Sequence, residues 1–225
     1  MKRNPLVTAV RLPIVLALAL AASVAVAGQP YSLRVPFKGL VASGAPAPSS
    51  TPTTWGWYNK GTLQSDQLTW NSPNNQVYNE IIANQGHNSG KWYFEVTLDA
   101  MSTNNVPEIG VIPVSSQPGG WNRTGDAAIF AYPGGAIVRN NTEYLPVAGA
   151  SKGTVGVAVD LDKNTVDFYV NCKLQNSPSF SMTGAFNPGT TVYPFTTVFG
   201  ATTVTANFGQ SAFACTPPAG YQTNW

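Results

Sequence analysis

Residues 91–99 put Trp92, Phe94, Val96 and Leu98 on one side of an extended chain and Tyr93, Glu95, Thr97 and Asp99 on the other. A period of two marks a half-buried β-strand, because successive side chains of a pleated backbone point to opposite faces. The pattern recurs in Val155, Val157, Val159 and Leu161, in Val166, Phe168 and Val170, and in Val204, Ala206 and Phe208. From residue 28 onward no stretch sustains the 3.6-residue period of an amphipathic helix. The polar run Asp162, Lys163 and Asn164 between two of these segments predicts a β-hairpin. Many short strands joined by turns predict an all-β sandwich or barrel.

Composition fits that reading. Apolar residues make up 43% of the 225, enough to fill one core, and 21 Gly and 18 Pro supply the turns. Charged residues are only 10%, against about 25% in an average soluble protein. The net charge of +2 depends on Lys2, Arg3 and Arg11; without these three it is −1. A near-neutral domain has no electrostatic means of holding phosphate backbones or anionic lipid, so nucleic acid is set aside as a partner.

The N-terminus reads as an address. Those three cations precede an apolar run over residues 13–27 that ends in Ala25, Val26 and Ala27, followed by Gly28. A basic start, a short apolar segment and a small-x-small ending predict a secretory signal peptide over residues 1–27. The alternative is an uncleaved anchor, which is the chain's one route to a membrane. The apolar run is short of the roughly 20 residues a helical span needs. Export would place the protein in the periplasm, at the cell surface, outside the cell or on a particle. There the two cysteines, Cys172 and Cys215, predict one disulfide, with two separate buried thiols as the alternative. Two Cys and one His at unrelated spacings do not make a zinc site, and no cofactor is expected.

Residues 28–41 hold one isolated alternation, Tyr31, Leu33, Val35 and Phe37. Residues 42–54, rich in Ala, Ser, Pro and Thr, predict an extended, solvated linker. A strand cut off in this way must bury its apolar side elsewhere, on the domain or on another subunit. The main domain is expected over 55–218, with 219–225 as a C-terminal tail.

Four segments in that domain resemble one family. SGKWYFEV at 89–96 resembles the "SGKYYWEV" strand of SPRY (B30.2-like) domains. VGVAVDLDKNTVDFYVN at 155–171 resembles their "GVALDLDKGTLSFYKN" hairpin. VYPF at 192–195 is similar to "LYPAV", and VTANFGQ at 204–210 with Phe213 to the closing "VTVNFGQ…F" strand. The four come in the family's order. The ending TPPAGY at 216–221 resembles SPRY modules of phage and bacterial structural proteins. The resemblance implies two antiparallel sheets packed as in concanavalin A-like lectins, and protein recognition through loops at one end. It carries over no catalytic constellation. Where the family has Gly after the hairpin Asn this chain has Cys172, read as a position recruited for a bond to Cys215 that distorts the turn.

Chemistry sought outside the resemblance is sparse. His87, the only histidine, lies in a Gly- and Asn-containing loop and reads as solvated. Glycosidase chemistry needs two carboxylates facing one groove, and Asp160, Asp162 and Asp167 instead crowd around a turn. Asp160, Asp162 and Asn164 mimic the start of a calcium loop. Thr165 then stands where Gly is required and Asn171 where the bidentate Glu should be. The pattern points away from an enzyme.

The remaining candidates are aromatics and arginines in loops, the side chains that dominate binding hot spots. Trp121, Arg123, Tyr132, Arg139 and Tyr144 are the candidate partner-contacting residues, while Trp55 and Trp57 read as packing. Three functions compete. The first is an exported module that binds a protein through its end loops. The second is a structural subunit of a virion, pilus or other surface assembly, with Tyr31 to Phe37 added to a neighbour's sheet edge. The third is a lectin-like module that stacks Trp or Tyr on a glycan.

Overall fold

The computed structural model describes residues 51–75, 77–101, 107–113, 127–130, 136–140, 142–146 and 152–225. The N-terminal cations, the apolar run and the strand of Tyr31, Leu33, Val35 and Phe37 lie outside them.

The described residues form strands in two antiparallel sheets, with no helix. In spatial order the first sheet is β1 (Trp55–Tyr58), β4 (Tyr78–Ala83), β14 (Tyr193–Phe199), β6 (Glu108–Ile112), β7 (Ala127–Phe130), β8 (Ala136–Arg139) and β9 (Thr142–Pro146). The second is β12 (Lys173–Leu174), β11 (Thr165–Val170), β10 (Gly153–Asp160), β5 (Lys91–Met101), β15 (Thr202–Asn207), β3 (Thr69–Ser72) and β2 (Thr62–Leu63). The short β13 (Phe180–Ser181) pairs with β11. The architecture is the two-sheet sandwich that the alternation predicts.

Register lines up the alternating segments. Val157 of β10 faces Phe94 on one side and Phe168 on the other, while Val155 faces Val96 and Val170. These rows form the inner face of the second sheet, packed against Ile81, Ile109, Val111, Ile137 and Val198 of the first. Each such aliphatic or aromatic side chain contributes about 1.5–3 kcal/mol by burial. A one-residue slip of β10 would turn its whole row outward, so the register is strongly specified.

The outer face of the second sheet departs from the simple polar-out pattern. Tyr93 and Glu95, on the polar side of β5, are both buried. Residues 213–215 cross above them. The Glu95 carboxylate accepts the backbone N–H groups of Ala214 and Cys215, both at 2.8 Å, and the Tyr93 hydroxyl at 2.9 Å. Phe213 meets the Tyr93 ring edge-on at 5.0 Å. Burial, reinforced by Glu95, holds the Tyr93 phenol well above its ordinary pKa. On the adjacent strand, Gly156 leaves the space that the Tyr93 hydroxyl fills.

The crossing segment is fastened by the Cys172–Cys215 disulfide, Cα atoms 5.1 Å apart. The hairpin that carries Cys172 keeps regular geometry. Val170 pairs with Lys173, and the two residues between them, Asn171 and Cys172, have φ of 47° and 65°. Two successive positive φ values define the type I′ turn favoured in two-residue hairpins. The distorted turn expected at Cys172 is therefore corrected: the cysteine adopts the left-handed conformation that Gly would otherwise supply.

Both flanks of the domain are drawn into it. Trp225 belongs to the main core, its backbone N–H donating to Phe208 at 3.0 Å and its indole N–H to the Gln85 carbonyl at 3.1 Å. Trp225 thus anchors the segment 219–225, expected as a tail, in the core, while most of its other residues are exposed. Of the segment read as a solvated linker, Thr53 is buried and its hydroxyl donates to the Trp225 carbonyl, while its own carbonyl accepts the Gln210 side chain. The last residues of that segment pack on the sandwich.

Candidate binding face

In an antiparallel meander, successive connections leave at alternate ends. One end of the sandwich gathers the finish of β4 at Ala83, the start of β5 at Lys91, the finish of β10 at Asp160, the finish of β6 at Ile112 and the finish of β8 at Arg139.

This end is built on a stack of rings. His87 exchanges two backbone hydrogen bonds with Val192, at 3.0 and 2.9 Å, which fixes the loop between β4 and β5. Its imidazole lies flat on Trp92, centroids 3.5 Å apart and planes 7° apart, and meets Trp225 at 5.2 Å. Burial lowers the His87 pKa to about 4, so the ring is neutral at physiological pH. The expectation of a solvated loop histidine is corrected: two tryptophan rings, from Trp92 on the next strand and Trp225 far along the chain, pack against it. The same loop is tied down by Asp162, whose carboxylate accepts the Gly90 N–H at 2.8 Å. Asp160 accepts the Lys163 N–H at 2.9 Å and pairs with Lys91 at 3.2 Å. Asp167 accepts Asn176 and Ser179, each at 3.0 Å. All three carboxylates are therefore engaged in turn and loop structure.

Arg139 reaches from the first sheet to the second. Its Nη1 donates to the Ser181 carbonyl at 2.8 Å, and its guanidinium lies 5.4 Å from the Phe180 ring centroid. The strand ends that flank the connection holding Trp121 and Arg123, at Ile112 and Ala127, belong to this same end, and Ala127 is the register partner of Arg139. Phe130 and Ala136, which flank the connection holding Tyr132, belong to the opposite end. Tyr144 falls within β9, at the sheet edge. Trp121, Arg123 and Tyr132 themselves lie outside the described residues. The spacing G-x-S-x-G occurs at 149–153 but leads into the strand β10, where a nucleophile elbow requires a helix.

Beside this end the sandwich has an open edge between β1 and the β2–β3 hairpin. A β-bulge between Trp55 and Trp57 sets their side chains on opposite faces. Trp55, opposite Ala83, is buried against Phe208, with centroids 5.1 Å apart; Trp57, opposite Ile82, is 44% exposed. The reading of Trp57 as packing is corrected. Gly56 was the available signal, since Gly inside a strand often marks a bulge. A Cβ there would sit 2.8 Å from the Asn84 Cβ. Tyr58, 38% exposed, lines a groove of about 470 Å³ with Thr54, Leu63, Gln64, Gln67 and Asn84.

Comparison with known proteins places this architecture. No curated protein matches the chain. Among solved structures, the SPRY domain of human HERC1 superposes with a TM-score of 0.54 at 13% identity, over 66% of this chain and 92% of that one. The TRIM65 PSpry domain gives 0.54 at 14% identity, over 69% of this chain and 89% of its own. At such identities the likeness concerns the fold. The SPRY domain family model matches residues 91–211, more than half of the sequence, from β5 through β15. The chain belongs to the SPRY domain family.

Proposed function

We propose that this protein is an exported, non-catalytic recognition module. It binds a protein partner through the end of the sandwich that carries Arg139 and the flanks of the 114–126 connection. SPRY domains are protein-interaction modules, which supports the general role. The disulfide supports export, because such bonds persist in oxidising compartments. The observation that carries the choice of end is the locked platform of His87, Trp92 and Trp225 together with the Arg139 bridge. A long connection on a rigid base is the usual placement of recognition residues, and Trp121 and Arg123 are of the residue types that dominate hot spots.

The test compares wild type with Trp121→Ala combined with Arg123→Ala, using the secreted protein as bait and a purified captured partner. Loss of affinity by about tenfold or more, with thermal stability unchanged, supports the reading. Unchanged affinity means that another surface binds.

A further inference from the structure

We propose that the groove between β1 and the β2–β3 hairpin is a binding site for a neutral carbohydrate chain, separate from the protein-binding end. Its volume of about 470 Å³ lies within the roughly 300–1,000 Å³ typical of small-ligand clefts. The wall is made of amides and hydroxyls with the Tyr58 ring, Leu63, Gly56 and the buried Trp55, and no ionised group is among the lining residues. Asp66 stands next to it, but its carboxylate is consumed by the Leu68 and Thr69 N–H groups, each at 2.9 Å, and by the Thr69 hydroxyl at 2.8 Å. These bonds lower its pKa and hold the turn. A charged ligand would find no counter-charge here; an uncharged, hydroxyl-rich one meets partners of its own kind.

The polar groups divide into fixed and available. The Asn84 side chain is spent on Thr54, accepting its N–H and donating to its hydroxyl, both at 3.0 Å, so it sets the wall. Among the described residues the Gln64 amide, the Ser65 and Tyr58 hydroxyls and the Gln67 Nε2 make no hydrogen bond. Carboxamides both donate and accept, which suits paired ring hydroxyls. The half-exposed Tyr58 ring offers the apolar face and polar tip on which a sugar's C–H face can lie.

Backbone strain supplies an independent argument. Positive φ among the described residues falls on Gly or Asn, with two exceptions, Cys172 and Gln67. Cys172 needs its side chain for the disulfide. Gln67, at φ 56°, closes the β2–β3 turn where Gly would adopt the conformation freely. Its one side-chain bond is a 3.4 Å contact from the Thr54 hydroxyl, too weak to justify a strained residue. Such strain concentrates at ligand-holding positions, and the amide facing the groove is the feature that Gly would lack. At four residues, β1 is too short for strand addition to be the main binding mode.

The experiment titrates the full-chain protein with unsubstituted neutral oligosaccharides of glucose, galactose and mannose. Isothermal titration is run at low and high salt, beside Gln67→Gly, Gln64→Ala and Tyr58→Phe variants. We expect salt-insensitive binding of at least one series. Gln67→Gly should weaken it about tenfold without lowering thermal stability, because that variant removes the amide and relieves the strain. Binding should persist in the Trp121→Ala, Arg123→Ala variant, which separates this site from the protein-binding end. Absence of binding up to millimolar sugar, or equal affinity in the Gln67→Gly and Gln64→Ala variants, overturns the proposal. So does a protein partner whose binding is lost with these groove variants and not competed by sugar.

Discussion

The Oε1 atom of Glu95 accepts the backbone N–H of Cys215 at 2.8 Å, 120 residues further along the chain. With the parallel bond to Ala214, this buried carboxylate anchors the segment that covers the outer face of the second sheet. Glu95→Ala would leave the buried Cys215 N–H, the part-buried Ala214 N–H and the buried Tyr93 hydroxyl without their acceptor. We predict a loss of about 2–4 kcal/mol, since each unsatisfied buried group costs about 1–3 kcal/mol. Urea unfolding checks this; a loss below about 1 kcal/mol would mean that water replaces the carboxylate.

The disulfide fastens the same segment from its other side, closing a loop of 43 residues. Cys172→Ser with Cys215→Ser should lower stability by about 3–4 kcal/mol while preserving the sandwich, as cross-link entropy predicts. Near-ultraviolet circular dichroism should stay native, and limited proteolysis should cut selectively near 209–222. Global unfolding of the double variant at room temperature would show that the bond is required for folding.

Acid should weaken the fold through His87. Its folded pKa of about 4 lies below the value of about 6.5 in an unfolded chain. Between those values the unfolded state binds more protons than the folded state, so stability falls as pH drops through that window. Allowing for solvent screening at this half-buried ring, the loss is on the order of 1–2 kcal/mol. His87→Phe keeps the stack and removes the titration. The pH dependence of the melting temperature between 4 and 6.5 should therefore flatten; an unaltered slope would assign it to other groups.

Trp55 and Trp57 should respond oppositely to truncation. Trp55→Ala empties a core position and should cost about 3–5 kcal/mol, whereas Trp57→Ala, at an exposed edge position, should stay within about 0.5 kcal/mol. Equal losses would contradict the bulge that sends the two rings to opposite faces.

Gln67→Gly tests the backbone strain directly. Removing a Cβ from a left-handed residue should raise stability by up to about 1 kcal/mol. Destabilisation would mean that the Gln67 side chain holds the turn.

Much of this architecture was written in local pattern. The alternation of Phe94, Val96, Val155, Val157, Val166 and Phe168 specifies strands and an inner face without reference to any neighbour, because side-chain direction in a strand follows from backbone pleat alone. The motif order around those strands carried the family. The β10–β11 hairpin was legible for a related reason: turn chemistry depends on a few adjacent residues, here Asp162 to Asn164.

Features that depend on residues far apart in sequence were decided by tertiary structure. Glu95 reads as a solvent-facing carboxylate until residues 213–215 arrive above it. His87 reads as a loop residue until Trp92 and Trp225 enclose it, and Trp225 reads as a tail until it enters the core. Trp57 shares a face with Trp55 in any period-two reading, and one extra residue in β1 reverses that. Local alternation determines which backbone faces are apolar. Whether a polar side is left in water depends on where distant segments return, and the period of a strand holds no information about that.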